Sequence, residues 1–137
     1  MKKLISLMLA LACILSCTVL MSCDEDTPSK IALTTSNYKN YLAINSSLEE
    51  EGYKDDQHYI KILITVKKSI NVEFEKAVIN FRHSDGYKAH NFSLELSSSG
   101  EASTTIYCYS VGTTKSKIEK HLKSVKNVTS ISGYVIE

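Results

Sequence analysis

Apolar residues in this chain recur mostly at every second position. Between His58 and Lys68, Ile60, Ile62, Ile64 and Val66 alternate with Tyr59, Lys61, Leu63, Thr65 and Lys67. A strand puts successive side chains on opposite faces, so this period predicts a strand with one buried, β-branched face. Shorter alternations follow at Ile70/Val72/Phe74, Ala77/Ile79/Phe81, Phe92/Leu94/Leu96 and Thr104/Ile106/Cys108, and a last strand is predicted over Val128 to Ile136. Lys30 to Thr34 and Ala43 to Ser46 read as extended, with one helical turn between them over Ser36 to Leu42. Turns are expected at Ser84-Asp85-Gly86 and Ser97-Ser98-Ser99-Gly100, where Asp and Gly tolerate the positive φ that tight reversals need.

One segment breaks the period. From Thr114 to Val125, Ile118, Leu122 and Val125 fall at i, i+4 and i+7, and Ser116 stands three residues before Glu119. That spacing predicts a short helix with a capping box. Many short strands and one helix in a chain of this size imply a two-sheet, antiparallel, mostly β sandwich over 31–137. The pattern resembles the immunoglobulin-like sandwiches of bacterial envelope proteins. With no tryptophan in the chain, the resemblance is to that architecture and not to the antibody core.

The amino-terminal region is patterned differently. Lys2 and Lys3 precede an apolar run from Leu4 to Met21, which ends in Leu20-Met21-Ser22-Cys23. A basic head, a greasy middle and small residues before a cut are the parts of a secretory signal. The Leu-Met-Ser-Cys ending resembles the lipobox of bacterial lipoproteins. That resemblance implies a signal peptide over 1–22, a diacylglyceryl group with its acyl chains (palmitate among them) on Cys23, and a lipidated tether over 23–30. Ile14-Leu15-Ser16-Cys17 also fits a lipobox, but cleavage there would leave the apolar stub Thr18 to Met21. A retained spanning helix is the other reading, since the run approaches the about 20 apolar residues a bilayer needs, although Ser6, Ser16, Thr18 and Ser22 dilute it. The expected address is the cell membrane or outer membrane, with the domain outside the cytoplasm. The membrane is then a partner through Cys23.

The 137 residues less the 22 of the leader leave 115, carrying 14 basic and 15 acidic side chains. This near balance gives no reason to expect a nucleic-acid partner. The cysteines are no disulfide framework: Cys13 and Cys17 fall in the leader, Cys23 takes the lipid, and Cys108 is left as a small hydrophobe. No base lies beside Cys108 in sequence to activate it, and no nucleophile elbow is present. The five glycines are isolated, so no phosphate loop exists and no cofactor is expected.

Several weaker patterns remain. His83 and His90 flank the Asp85-Gly86 turn and would face each other across a hairpin with a four-residue loop, but no third metal ligand has a compelling spacing, so no metal is assigned. Glu49-Glu50-Glu51 and Asp55-Asp56 gather five carboxylates without the alternation of a calcium loop, and read as a solvated connection. Lys115, Lys117, Lys120, Lys123 and Lys126 surround the predicted helix, as a soluble face or as a contact for anionic lipid. Three asparagine sequons, at Asn45, Asn91 and Asn127, carry no weight beside a bacterial-type signal. All eight tyrosines lie after the leader, and Tyr107 and Tyr109 share one strand face. That face is a core layer if buried and a binding platform if exposed. The reading that results is a non-enzymatic, lipid-anchored interaction or structural module with a protein or glycan partner. The alternative is an accessory lipoprotein that binds carbohydrate or another small ligand.

Overall fold

The computed structural model describes residues 27–137; the leader, the two lipobox cysteines and the start of the tether lie outside them. The described residues form seven strands: β1 (Lys30–Ala32), β2 (Leu42–Lys54), β3 (Gln57–Lys68), β4 (Glu73–Ser84), β5 (Ala89–Glu95), β6 (Ala102–Tyr109) and β7 (Val128–Ile136). A single 3-10 turn covers Tyr38–Asn40, and helix α1 covers Lys115–Ser124. The strands make two antiparallel sheets, ordered β1-β7-β4-β5 and β2-β3-β6. This is the two-sheet sandwich that the alternating pattern predicts. Four strands face three, as in a constant-type immunoglobulin domain. The neighbour order differs from that of such a domain read in either direction, so the likeness is one of architecture alone.

The core is made by the inward residues of both sheets. Ile60, Ile62, Ile64 and Val66 from β3 meet Phe74, Ala77, Ile79 and Phe81 from β4, all buried. Phe81 stacks on Phe92 of β5 at 4.9 Å between ring centroids. Each such aliphatic or aromatic side chain contributes about 1.5–3 kcal/mol by leaving water. Ile118 and Val125 of the helical segment are buried and Leu122 partly so, which turns α1 inward against β2.

Three local readings of the pattern need correction. Ile70/Val72/Phe74 is not a separate strand: Ile70 is exposed in a connection, and Phe74 belongs to β4. The phase slip between Phe74 and Ala77 is a bulge, with Lys76 at φ +49°. Gly133 faces this bulge on β7 with φ +98°, and a Cβ there would lie 2.5 Å from Ala77 Cα, so only glycine fits. The acidic run is no loop either. Glu49 to Glu51 lie in β2, which continues to Lys54 and reverses through Asp55 and Asp56, both at positive φ, as two-residue hairpin loops require. Lastly, α1 is preceded by Thr114 and not capped by Ser116; no side-chain cap bond forms, and Glu119 pairs loosely with Lys115 at 3.9 Å.

Strand direction gives the sandwich two poles. Lys30 pairs with Ile136, and Ile136 with Glu73, so the chain enters at the pole where β4 begins. At the other pole β4 ends, the Asp85–Lys88 turn follows, and Tyr109 approaches Asp85.

Candidate functional site

Two polar groupings lie at the pole away from the entry. The first is on the outer face of the three-stranded sheet. Register places Gly52, Tyr59 and Tyr109 in one cross-strand row, and Glu50, Lys61 and Tyr107 in the next. The inward partners of these tyrosines, Ile60 and Cys108, are fully buried, while Tyr107 is 42% exposed. The face shared by Tyr107 and Tyr109 is therefore the outer one.

Tyr59 lies between them, with ring centroids 6.0 Å from Tyr107 and 6.2 Å from Tyr109. Tyr87 extends the series, 6.5 Å from Tyr109. Tyr59 can lie flat because its neighbour is Gly52; a Cβ there would meet the phenol oxygen at 3.0 Å. Its hydroxyl donates to the Glu50 carboxylate, and this bond holds its proton above the ordinary phenol range. Lys61 pairs with Glu49 at 3.1 Å, which raises its own pKa, and stands 6.0 Å from the Tyr107 ring. Glu50, Tyr53, Lys54, Tyr59, Tyr107 and Tyr109 line a groove of about 390 Å³. Rings offer flat apolar area, while the phenols, carboxylate and amine offer donors and acceptors at their edges.

The second grouping is interior. His83 and His90 are cross-strand partners on the inner faces of β4 and β5, as the four-residue turn predicts, with centroids 6.0 Å apart. Asp85 has no side-chain exposure. Its carboxylate accepts the backbone N–H groups of Tyr87, Lys88 and Tyr109 and the Nε2–H of His90 at 2.7–3.0 Å. Burial opposes its ionisation, but the bonds from His90, Lys88, Tyr109 and Tyr87 outweigh it and hold the carboxyl well below the usual range. His83 is 3% exposed. Burial, then the neighbouring His121 and His90, lower it to about 4. His121 of α1 reaches His83 at 3.3 Å, and Ser124 bonds the other ring nitrogen at 3.1 Å. His121 is likewise lowered by burial. The fourth histidine, His58, is buried near this pole and donates to Glu51 at 2.8 Å.

Asp85, His90 and Cys108 bring their ligand atoms within 4.8 Å of one another, a grouping drawn from three separate segments. Neither activity nor metal binding follows from it. The Cys108 thiol is fully buried and pushed up to about 12, by burial first and then by the Asp85 charge, so it keeps its proton. A cation on Asp85 would have to compete with four hydrogen bonds that already occupy both carboxylate oxygens.

Of these residues, Tyr107, Tyr109, His83 and His90 stand out in the sequence. Tyr59 was findable, since it occupies the outward phase of the strongest strand. Glu50 and Gly52 were not, because their strand is hidden in an acidic run. Comparison with protein-family models, curated proteins and solved structures finds no match for this chain.

Proposed function

We propose that this protein is a lipid-anchored module of the cell envelope whose tyrosine-lined groove binds carbohydrate. The observation that carries the reading is the row of Tyr107, Tyr59 and Tyr109 rings on an exposed sheet face, beside a groove whose rim bears Glu50 and Lys54. Sugar rings present apolar C–H faces and equatorial hydroxyls, and the groove offers the complement of both. Cys108, the thiol nearest this groove, is buried and keeps its proton, so it offers no nucleophile beside a bound ligand. The anchor rests on the Leu20-Met21-Ser22-Cys23 ending of the leader.

Each ring contact is worth about 0.5–1.5 kcal/mol, so a single sugar binds weakly and a short chain spanning two rings binds better. Isothermal titration of the full chain against oligosaccharides selected on a glycan array tests this. Tyr59→Ala and Tyr107→Ala should each weaken binding about three- to tenfold, taking 1.4 kcal/mol as tenfold. Tyr134→Ala, on the other sheet, should leave it unchanged. Failure of every array glycan to bind, or equal affinities in all three variants, would remove the reading.

A further inference from the structure

The helix and the end of β4 enclose a second cavity, distinct from the tyrosine groove. Arg82, Lys120, Lys123 and Lys126 line a shallow cleft of about 650 Å³, with His83 and Ser124 at its inner side. We propose that this cleft is a binding site for a phosphate group.

Three observations carry the proposal. First, Arg82, Lys120, Lys123 and Lys126 gather around one depression with no carboxylate in its lining, and among the described residues none of the four forms an ion pair. Four like charges around one depression repel each other, and a bound oxyanion relieves that repulsion. Second, the ordinary explanation for lysines at a helix C-terminus is that they satisfy its last carbonyls or its dipole. Here those carbonyls are already taken: His121 O by the amide of Val125, Leu122 O by the Ser46 hydroxyl, Lys123 O by Lys126 N–H and Ser124 O by Asn127 N–H. The ammonium groups are left free to face the cleft. Third, the walls are fixed to one another. Arg82 N–H donates to Asn127 O at 3.2 Å, and the Asn127 amide returns a bond to Arg82 O at 3.4 Å. The guanidinium therefore rises from a strand locked to the helix end, and a planar fork so placed suits two phosphate oxygens.

The phosphate can belong to a soluble ligand or to a lipid headgroup. The full chain in neutral detergent micelles is titrated with inorganic phosphate, and separately with short-chain phosphatidylglycerol, while backbone amide and imidazole resonances are followed by NMR. Saturable shifts at Arg82, Lys123 and Asn127 are expected, together with a rise in the pH at which His83 titrates. Lys123→Gln should weaken binding about tenfold, equivalent to 1.4 kcal/mol. Lys115→Gln, on the same helix but paired with Glu119, should not. Response to phosphate alone identifies a soluble ligand, and response to both includes headgroups. Shifts that never saturate, or that Lys115→Gln reduces as much as Lys123→Gln, would overturn the site.

Discussion

At the residue scale, Asp85 does more for this domain than its position in a turn suggests. Its two carboxylate oxygens fasten the β4–β5 turn to itself through Tyr87 and Lys88, and to β6 through Tyr109. His90 supplies the charge-assisted bond that completes the set. Buried polar groups left without partners cost about 1–3 kcal/mol each. Asp85→Ala strands three amides and an imidazole N–H at once, so a loss of about 3–5 kcal/mol is expected. Asp85→Asn keeps one accepting oxygen and should lose less. Thermal melts of the three proteins measure the order; equal melting temperatures would mean that water replaces the carboxylate without cost. The physics of this residue also explains what the sequence conceals. Asp-Gly announces a turn, but the amide of Tyr109 is 24 positions away and becomes a partner only when β6 crosses to the other sheet. The proximity of Cys108 to His90 has the same origin, since neither residue carries a local mark of the other.

At the element scale, α1 is held to the sandwich partly by uncharged imidazoles. His121 Nδ1–H can donate to His83 Nε2, His83 Nδ1–H to the Ser124 oxygen, and the Ser124 hydroxyl to His121 O, a closed set that requires the His83 ring to be neutral so that its Nε2 can accept. His83 titrates near 4 in the fold against about 6.5 in an unfolded chain. Between those values the unfolded state binds a proton that the folded state refuses, so stability falls as pH drops from about 6.5 and the loss is complete near 4. The gap corresponds to about 3 kcal/mol from His83, with His121 acting in the same direction. Urea midpoints at pH 7 and pH 4.5 should differ accordingly, with the helical signal among the first lost; a flat profile would show that protonation is accommodated. The helix itself is legible from Ile118, Leu122 and Val125, and β3 from its unbroken period. β4 was read as two pieces because a bulge shifts its phase at Lys76. β2 is hidden over more than half its length because, at a bulged edge strand, Glu49, Glu50 and Glu51 all stay exposed whichever face they take. Charges there discourage pairing with other chains, and propensity alone does not distinguish such a strand from a loop.

At the scale of the whole molecule, the poles of the sandwich and the proposed anchor together set an orientation. The chain enters at Lys30, beside Ile136 and Glu73, while Arg82 to Ser84 and the Asp85–Lys88 turn close the far end of β4. Eleven steps at about 3.3 Å per residue separate Glu73 from Ser84 by roughly 35 Å. From Cys23 to Lys30 the tether is seven steps, or at most about 25 Å. An acylated Cys23 would therefore hold the entry pole toward the bilayer, with the tyrosine groove and the basic cleft directed away from it. That arrangement suits ligands arriving from solution and turns the cleft from the lipid that carries the protein. Metabolic labelling with a clickable fatty acid should mark the wild type and not Cys23→Ala. In nanodiscs holding the labelled protein and a paramagnetic headgroup, broadening should be strongest around Lys30, Glu73 and Gly100 and fade toward Asp56 and Gly86. Label retained by Cys23→Ala would move or abolish the anchor. A reversed gradient with the anchor intact would instead bring the groove and the lysines of α1 against the membrane, and the headgroup arm of the phosphate titration would then become the relevant one.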